Sequence, residues 1–226
     1  MPRTFAMSVI RGRCKQRADQ ENSSLISDSE WNALISEVYG ELFSEVAACL
    51  ERYFESTTTV TATGATSYNE PTDHYSTIRI ARVSSGRQYP LRQLRSQDEA
   101  HLIGVPGGDA VYWTLVDDQL FLYPNPSSGS YKWYYIAQPP DLSAYADGDL
   151  VDLVSPDGEA FLIWGVAAIA LAKAESNPSL ALSRQEAARE RVQYWAANRN
   201  LAEGRSRPVE DIDAGRFGPD GWERWP

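Results

Sequence analysis

The sequence is poor in the residues that most often carry chemistry. Among 226 residues there are two histidines, His74 and His101, and two cysteines, Cys14 and Cys49. The cysteines form no CxxC pair and cannot build a disulfide framework, so both are expected to be reduced thiols on helix faces. The histidines sit apart, His74 after Asp73 and His101 after Glu99-Ala100. Neither has the partners that a metal site or a catalytic base requires. No GxSxG elbow, no HExxH helix and no Gly-Lys-Ser/Thr phosphate loop is present. The glycine-rich stretch from Gly104 to Asp109 lacks the strand-to-helix setting of a phosphate loop and reads as a turn. Asp147-Gly148-Asp149 with Asp152 lacks the spacing and closing glutamate of a calcium loop and also reads as a turn. The expectation is a chain without catalytic residues, metal or cofactor; a hydrolase would have no constellation to work with.

Positive charge is also scarce. There are 21 Lys and Arg against 31 Asp and Glu, a formal net charge of −10 and a pI near 4.7. A protein that grips phosphates draws its affinity from cations, so tight nucleic-acid binding is excluded. An acidic wall that lets DNA pass remains possible, because it repels phosphate at short range. Long hydrophobic runs are absent. Ala160 to Ala172 is uncharged but only 13 residues long, whereas a spanning helix needs about 20. It reads as a buried helix, apolar all round. The first residues carry Arg3, Arg11, Arg13, Lys15 and Arg17 without the apolar segment and cleavage site of a signal peptide, so the chain is expected to stay in the cytoplasm where it is made.

What is present is a core. Apolar residues make up 42% and aromatics 11%, enough for one substantial core or a core plus a smaller module. Residues 5–19 read as a first helix with Ile10, Cys14 and Ala18 on one stripe. Ser27 and Glu30 have the spacing of a capping box, and Ile26 and Trp31 that of a hydrophobic staple, so a second helix starts there. Its apolar face runs from Trp31 through Leu34, Ile35, Val38 and Leu42 to about residue 55. Its opposite face carries Glu30, Glu37, Glu41 and Glu45, at spacings of seven and four. Such a row is either a solvated face or one turned to a basic partner, a subunit seam or a DNA channel.

From Thr57 to about Val154 the pattern becomes strand-like: 57–63, 77–83, an edge strand at 88–91 containing Pro90, a hairpin of 110–116 and 119–123 over Asp117-Asp118, and 130–137, apolar or aromatic on both faces. Ser96 and Glu99 box a short helix that stops at Gly104. Helix resumes at Ser155 with Pro156 in the first turn and runs to about Ser176. Asn177-Pro178 restarts a last helix, its inner face Ala181, Ala188, Val192 and Trp195, ending near Gly204; so short a connection makes the two antiparallel neighbours. The remainder has four glycines, three prolines and the aromatics Phe217, Trp222 and Trp225. It reads as an extended arm that orders against a partner.

The reading is an α+β protein: an antiparallel helical bundle (1–56 and 155–204), an inserted antiparallel β-sandwich-like module (57–154), and an extended C-terminal arm (205–226).

The order of these pieces resembles a family, the head-to-tail adaptors of tailed phages, also called the tail tubular A or head-completion class. RGRCKQRADQENSSLISDSEWNALISEVYGELFSEV is similar to the family's opening. RQYPLRQLRSQDEAHL resembles the segment before its hairpin. VYWTLVDDQLFLYPNPSSGSYKWYYIAQPPDL resembles its core, with Tyr123-Pro124-Asn125-Pro126, the aromatic strand and Pro139-Pro140 as the most specific piece. FLIWGVAAIALAKAESNP and ERVQYWAANRNLAEGRSRPVEDID resemble its two last helices and the following arm. Ala174 before Glu175 departs from the Lys-Glu pair often found there. The resemblance implies a virion protein that forms a ring, usually of twelve copies, below the portal protein, with genomic DNA passing through its channel. It implies a tail nozzle or tail tube protein on the far side. It also implies a portal-embracing arm, here Arg207, Pro208, Val209, Phe217, Trp222 and Trp225. Glu30, Glu37, Glu41 and Glu45 are then candidates for the channel wall or the subunit seam. The alternative is a tail-associated ligand- or carbohydrate-binding module using the rings around Trp133 as a platform; the opposing expectation is that Tyr131, Trp133 and Tyr135 pack a core.

Overall fold

The computed structural model describes residues 4–94, 108–155 and 157–202. Among these the fold is mixed α and β, with four helices and sheets that are almost wholly antiparallel.

The chain opens with a short strand, β1 (Thr4–Ala6), and then α1 (Met7–Arg17). The helix expected from residue 5 thus starts later, because Thr4, Phe5 and Ala6 pair antiparallel with β10 (Leu150–Asp152). Met7, Ile10, Cys14 and Ala18 form its buried stripe. Burial raises the Cys14 thiol far above its ordinary pKa, which keeps it protonated and unreactive. Neither cysteine is in a disulfide.

Helix α2 (Asp28–Cys49) begins at the Ser27 cap, whose hydroxyl accepts from the Glu30 amide at 3.3 Å. Ile26 and Trp31 are buried on either side of it, as a staple requires. The reciprocal half of the box is not made: the Glu30 carboxylate reaches Lys173 instead. Replacing Ser27 by alanine is expected to lower stability by about 1 kcal/mol, read as a fall in the urea midpoint with an unchanged slope.

Two four-stranded sheets follow. In the first, β2 (Glu55–Ala62), β9 (Gly129–Ala137), β4 (His74–Ser84) and β5 (Arg87–Pro90) lie in that order, all antiparallel. In the second the order is β3 (Tyr68–Asn69), β8 (Gln119–Tyr123), β7 (Tyr112–Val116) and β6 (Arg92–Gln93). The sheets are antiparallel as expected except for the two-residue β6–β7 pair, which is parallel. Asp117 and Asp118 close the β7–β8 hairpin with φ of 47° and 60°, the left-handed pair that a tight hairpin turn needs.

Strand β9 is central and covered on both faces. Tyr131, Trp133 and Tyr135 join Val60, Ile80, Trp113, Leu120 and Leu122 in the cluster between the sheets. On the other face Ile136 meets Phe43 and Ala47 of α2, with Phe54 and Ile78 packed around them. That contact fastens the strands to the helices.

Helix α3 runs Gly158–Lys173 and α4 Ser179–Ala202. The start expected at Ser155 moves to Gly158, with Asp157 at the cap position, and the Ser155 hydroxyl accepts from the Gly158 amide at 2.9 Å. Arg191 pairs with Asp157 at the start of α3, while Leu182 lines the same hollow as Ala172 near its end, so α3 and α4 run antiparallel. Leu142, Val151, Leu153 and Val154 lie in the helical core, not between the sheets. By packing, the chain returns to the helices before residue 154. The short β1–β10 pair and the segment around Leu142 had no periodicity long enough to read.

Candidate functional site

The sequence offers no catalytic constellation, so the charged faces and the aromatic segments are the places to build from. Among the described residues, the N-terminal cations Arg11, Arg13, Lys15 and Arg17 all find partners within the chain. Arg11, its side chain 11% exposed, reaches Asn32 at 3.1 Å and Asp147 at 2.5 Å. Arg13 pairs with Glu159 and lies over the Phe5 ring; Arg17 lies over Trp164. Lys15 holds Asp28 at 2.5 Å, and that bond, with Arg11 close by, keeps the Asp28 carboxyl below its ordinary pKa. A lowered carboxylate pKa stabilises the fold above its unfolded value and loses that contribution as pH falls. These four cations therefore tie α1 to its neighbours and, among the described residues, do not form a free basic stripe for phosphate.

The acidic row on α2 divides. Glu30 pairs with Lys173 of α3. Glu41 accepts from Gln185 at 3.4 Å, and Glu45 meets Arg189 at 3.1 Å and Gln193 at 2.7 Å on α4. Glu37 is exposed and has no partner among the described residues. Three of the four acids thus bridge α2 to α3 and α4 in one chain. Spacing on a single helix could not reveal that, since their partners lie more than 140 residues onward. Beneath this row Gly165 lets the three helices close up. A Cβ there would stand 2.7 Å from both Val38 Cγ1 and Gln185 Nε2.

The aromatic strand forms no platform. Trp133 is fully buried, and its Nε1 donates to Thr77 Oγ1 at 2.8 Å. His74 accounts for itself structurally: Nδ1 lies 2.8 Å from Glu70, Nε2 2.9 Å from Thr77, and the ring packs on Trp133 and Tyr135. Among the described residues no group of three His, Cys, Asp or Glu could hold a metal ion, and no helix is long and apolar enough to cross a membrane. Asp147 and Asp149 are spent on Arg11 and on the Ala146 amide. The Tyr123-Pro124-Asn125-Pro126 motif crosses to the loop after β2, where Asn125 Nδ2 donates to Gly64 O at 3.1 Å and the Gly64 amide to Pro126 O at 3.2 Å. It pins the turn between β8 and β9.

The candidate arm residues Arg207, Pro208, Val209, Phe217, Trp222 and Trp225 lie outside the described residues, as do His101 and the boxed Ser96–Glu99 segment.

Residues 8–213 match the family described as SU10 adaptor protein. The chain belongs to that family of phage head-to-tail adaptors. The match covers both ends of the helical core and everything between. No curated protein matches the chain. Adaptor family members are structural proteins of the phage, and the aromatic strand, the Tyr-Pro-Asn-Pro turn and the paired α3–α4 helices of this adaptor all fall inside the matched span.

Proposed function

We propose that this adaptor assembles as a ring in the virion, between the portal protein and the tail nozzle or tail tube, around the channel through which genomic DNA leaves. The observation that carries this reading is the family match across residues 8–213. The ring is expected to hold twelve copies. The frame is a helical bundle, built from the N-terminal helices and α3–α4, with a sandwich-like β module inserted and an arm at residues 205–226. The net charge of −10 and the internal pairing of the N-terminal cations suit a wall that DNA slides past without being held. Glu37, the outward member of the acidic row, is the acid best placed to face a channel or a neighbouring subunit. Glu30, Glu41 and Glu45 stiffen the subunit behind it.

The arm, with Arg207, Pro208, Val209, Phe217, Trp222 and Trp225, is the portal-binding element. Large aromatics and arginine carry much of the energy at interfaces, and a segment that orders on binding can wrap a large surface. Deleting residues 205–226 is expected to reduce capture by immobilised portal at least about tenfold, since truncating hot-spot residues commonly loses 2 kcal/mol or more. Unchanged capture by the truncated chain would refute the arm. A sugar-binding role for the strand around Trp133 is disfavoured, because the ring that would stack on a sugar lies between the sheets.

A further inference from the structure

Near the end of α4 an open hollow of about 610 Å³ is lined by Asp157, Arg191, Tyr194, Trp195, Asn198 and Arg199. Its composition is unusual for the surface of so acidic a chain. Tyr194 is 74% exposed, the most exposed large apolar side chain described. Arg199 lies over two rings, 5.8 Å from the Tyr53 centroid and 5.5 Å from that of Trp195. Arg191 is paired with Asp157 at 2.8 Å, yet its side chain stays 53% exposed. Among the described residues Arg199 has no carboxylate partner. Two guanidiniums beside two aromatic rings make a seat for an acidic peptide, since charge-assisted bonds and stacking act together there.

We propose that the seat is filled by residues 210–213 of the same chain, with Glu210, Asp211 and Asp213 against Arg199 and Arg191. Reach and tethering favour this occupant. Arg199 is three residues before Ala202, about 4.5 Å of helical rise. Glu210 is eight residues beyond it, and eight residues of chain span up to about 26–29 Å. Gly204 and Pro208 stand where a reversal is needed. A short tether holds the acids at an effective concentration of about millimolar. The family match supplies an independent observation: it ends at Asp213. The acidic run belongs to the span shared with the family, whereas Phe217, Trp222 and Trp225 lie beyond it. The acidic segment is thus seated on the subunit's own body, and the arm residues on either side of it are left for the portal. The proposal rests on the arm reading above, but it fails separately.

Hydrogen exchange on the full chain tests it. The 203–213 amides are expected to exchange at least about tenfold more slowly than in the free peptide of that sequence. Arg199→Glu should return them to the free rate, as should the combined Glu210→Gln, Asp211→Asn and Asp213→Asn variant, which leaves the body untouched. Added salt should do the same. Free-peptide exchange in the unmodified chain would overturn the proposal. So would protection that survives neutralising the three acids, or protection that rises with protein concentration, which would place the segment on a second copy. Portal capture by the 205–226 deletion reports on the arm itself and is read independently of these rates.

Discussion

Replacing Gly158 by alanine is expected to destabilise the adaptor by about 3 kcal/mol or more. The reason is collision, since Gly158 has no positive φ. A Cβ at this position would run into the Leu153 carbonyl oxygen, with Leu42 Cδ2 3.3 Å away on the other side. Neither neighbour can yield cheaply. The Leu153 carbonyl accepts from the Ser155 amide, Val154 is already held at a φ of 63°, and Leu42 is fully buried in the helical core. Moving the 153–158 turn would also break the bond from the Gly158 amide to the Ser155 hydroxyl. For a chain of this size about 3 kcal/mol corresponds to a drop of roughly 6–12 °C in melting temperature. Calorimetry on Gly158→Ala checks it, and a melting temperature within 2 °C of the parent, about the smallest shift that 1 kcal/mol produces, would contradict this packing.

Trp133→Ala is expected to lower stability by about 3–5 kcal/mol, the range for emptying a large aromatic site in a close-packed core. The indole sits at 0% exposure between the sheets, in contact range of the His74 ring, and its Nε1–H bond to Thr77 Oγ1 would be lost with it. Trp133→Phe keeps most of the volume and loses the hydrogen bond, so about 1 kcal/mol is expected. Leu180→Ala, at a 64% exposed side chain, should stay within about 0.5 kcal/mol and serves as the control. Chemical denaturation of the three variants orders them; equal losses at Trp133 and Leu180 would mean that the aromatic strand is not central.

Much of this architecture was legible wherever local chemistry and burial agree. Ser27 and Glu30 marked the start of α2 because the cap is a local bond, and Ile10, Cys14 and Ala18 marked the buried side of α1 because a stripe repeats each turn. The two-sided apolarity of β9 foretold cover on both faces, and the second face proved to be α2 through Phe43 and Ala47. What was not legible depends on distant partners. Thr4–Ala6 is a strand only because Leu150–Asp152 lies beside it, and Arg92–Gln93 pairs parallel because of where β7 runs. The same limit applied to function. Spacing left Glu30, Glu41 and Glu45 open as a solvated face, a subunit seam or a channel wall, and it could not show the partners that they have on α3 and α4. The Tyr53–Trp195–Arg199 stack had no signal in the sequence, because it joins the end of α4 to the turn before β2.

The central claim is a ring seated on the portal. Electron microscopy of the purified adaptor mixed with its portal tests it most directly. The account predicts a ring of adaptor density coaxial with the portal, with an open channel on the axis. Particles in which the portal stays bare, or in which adaptor copies decorate its flank without closing around the axis, would contradict it.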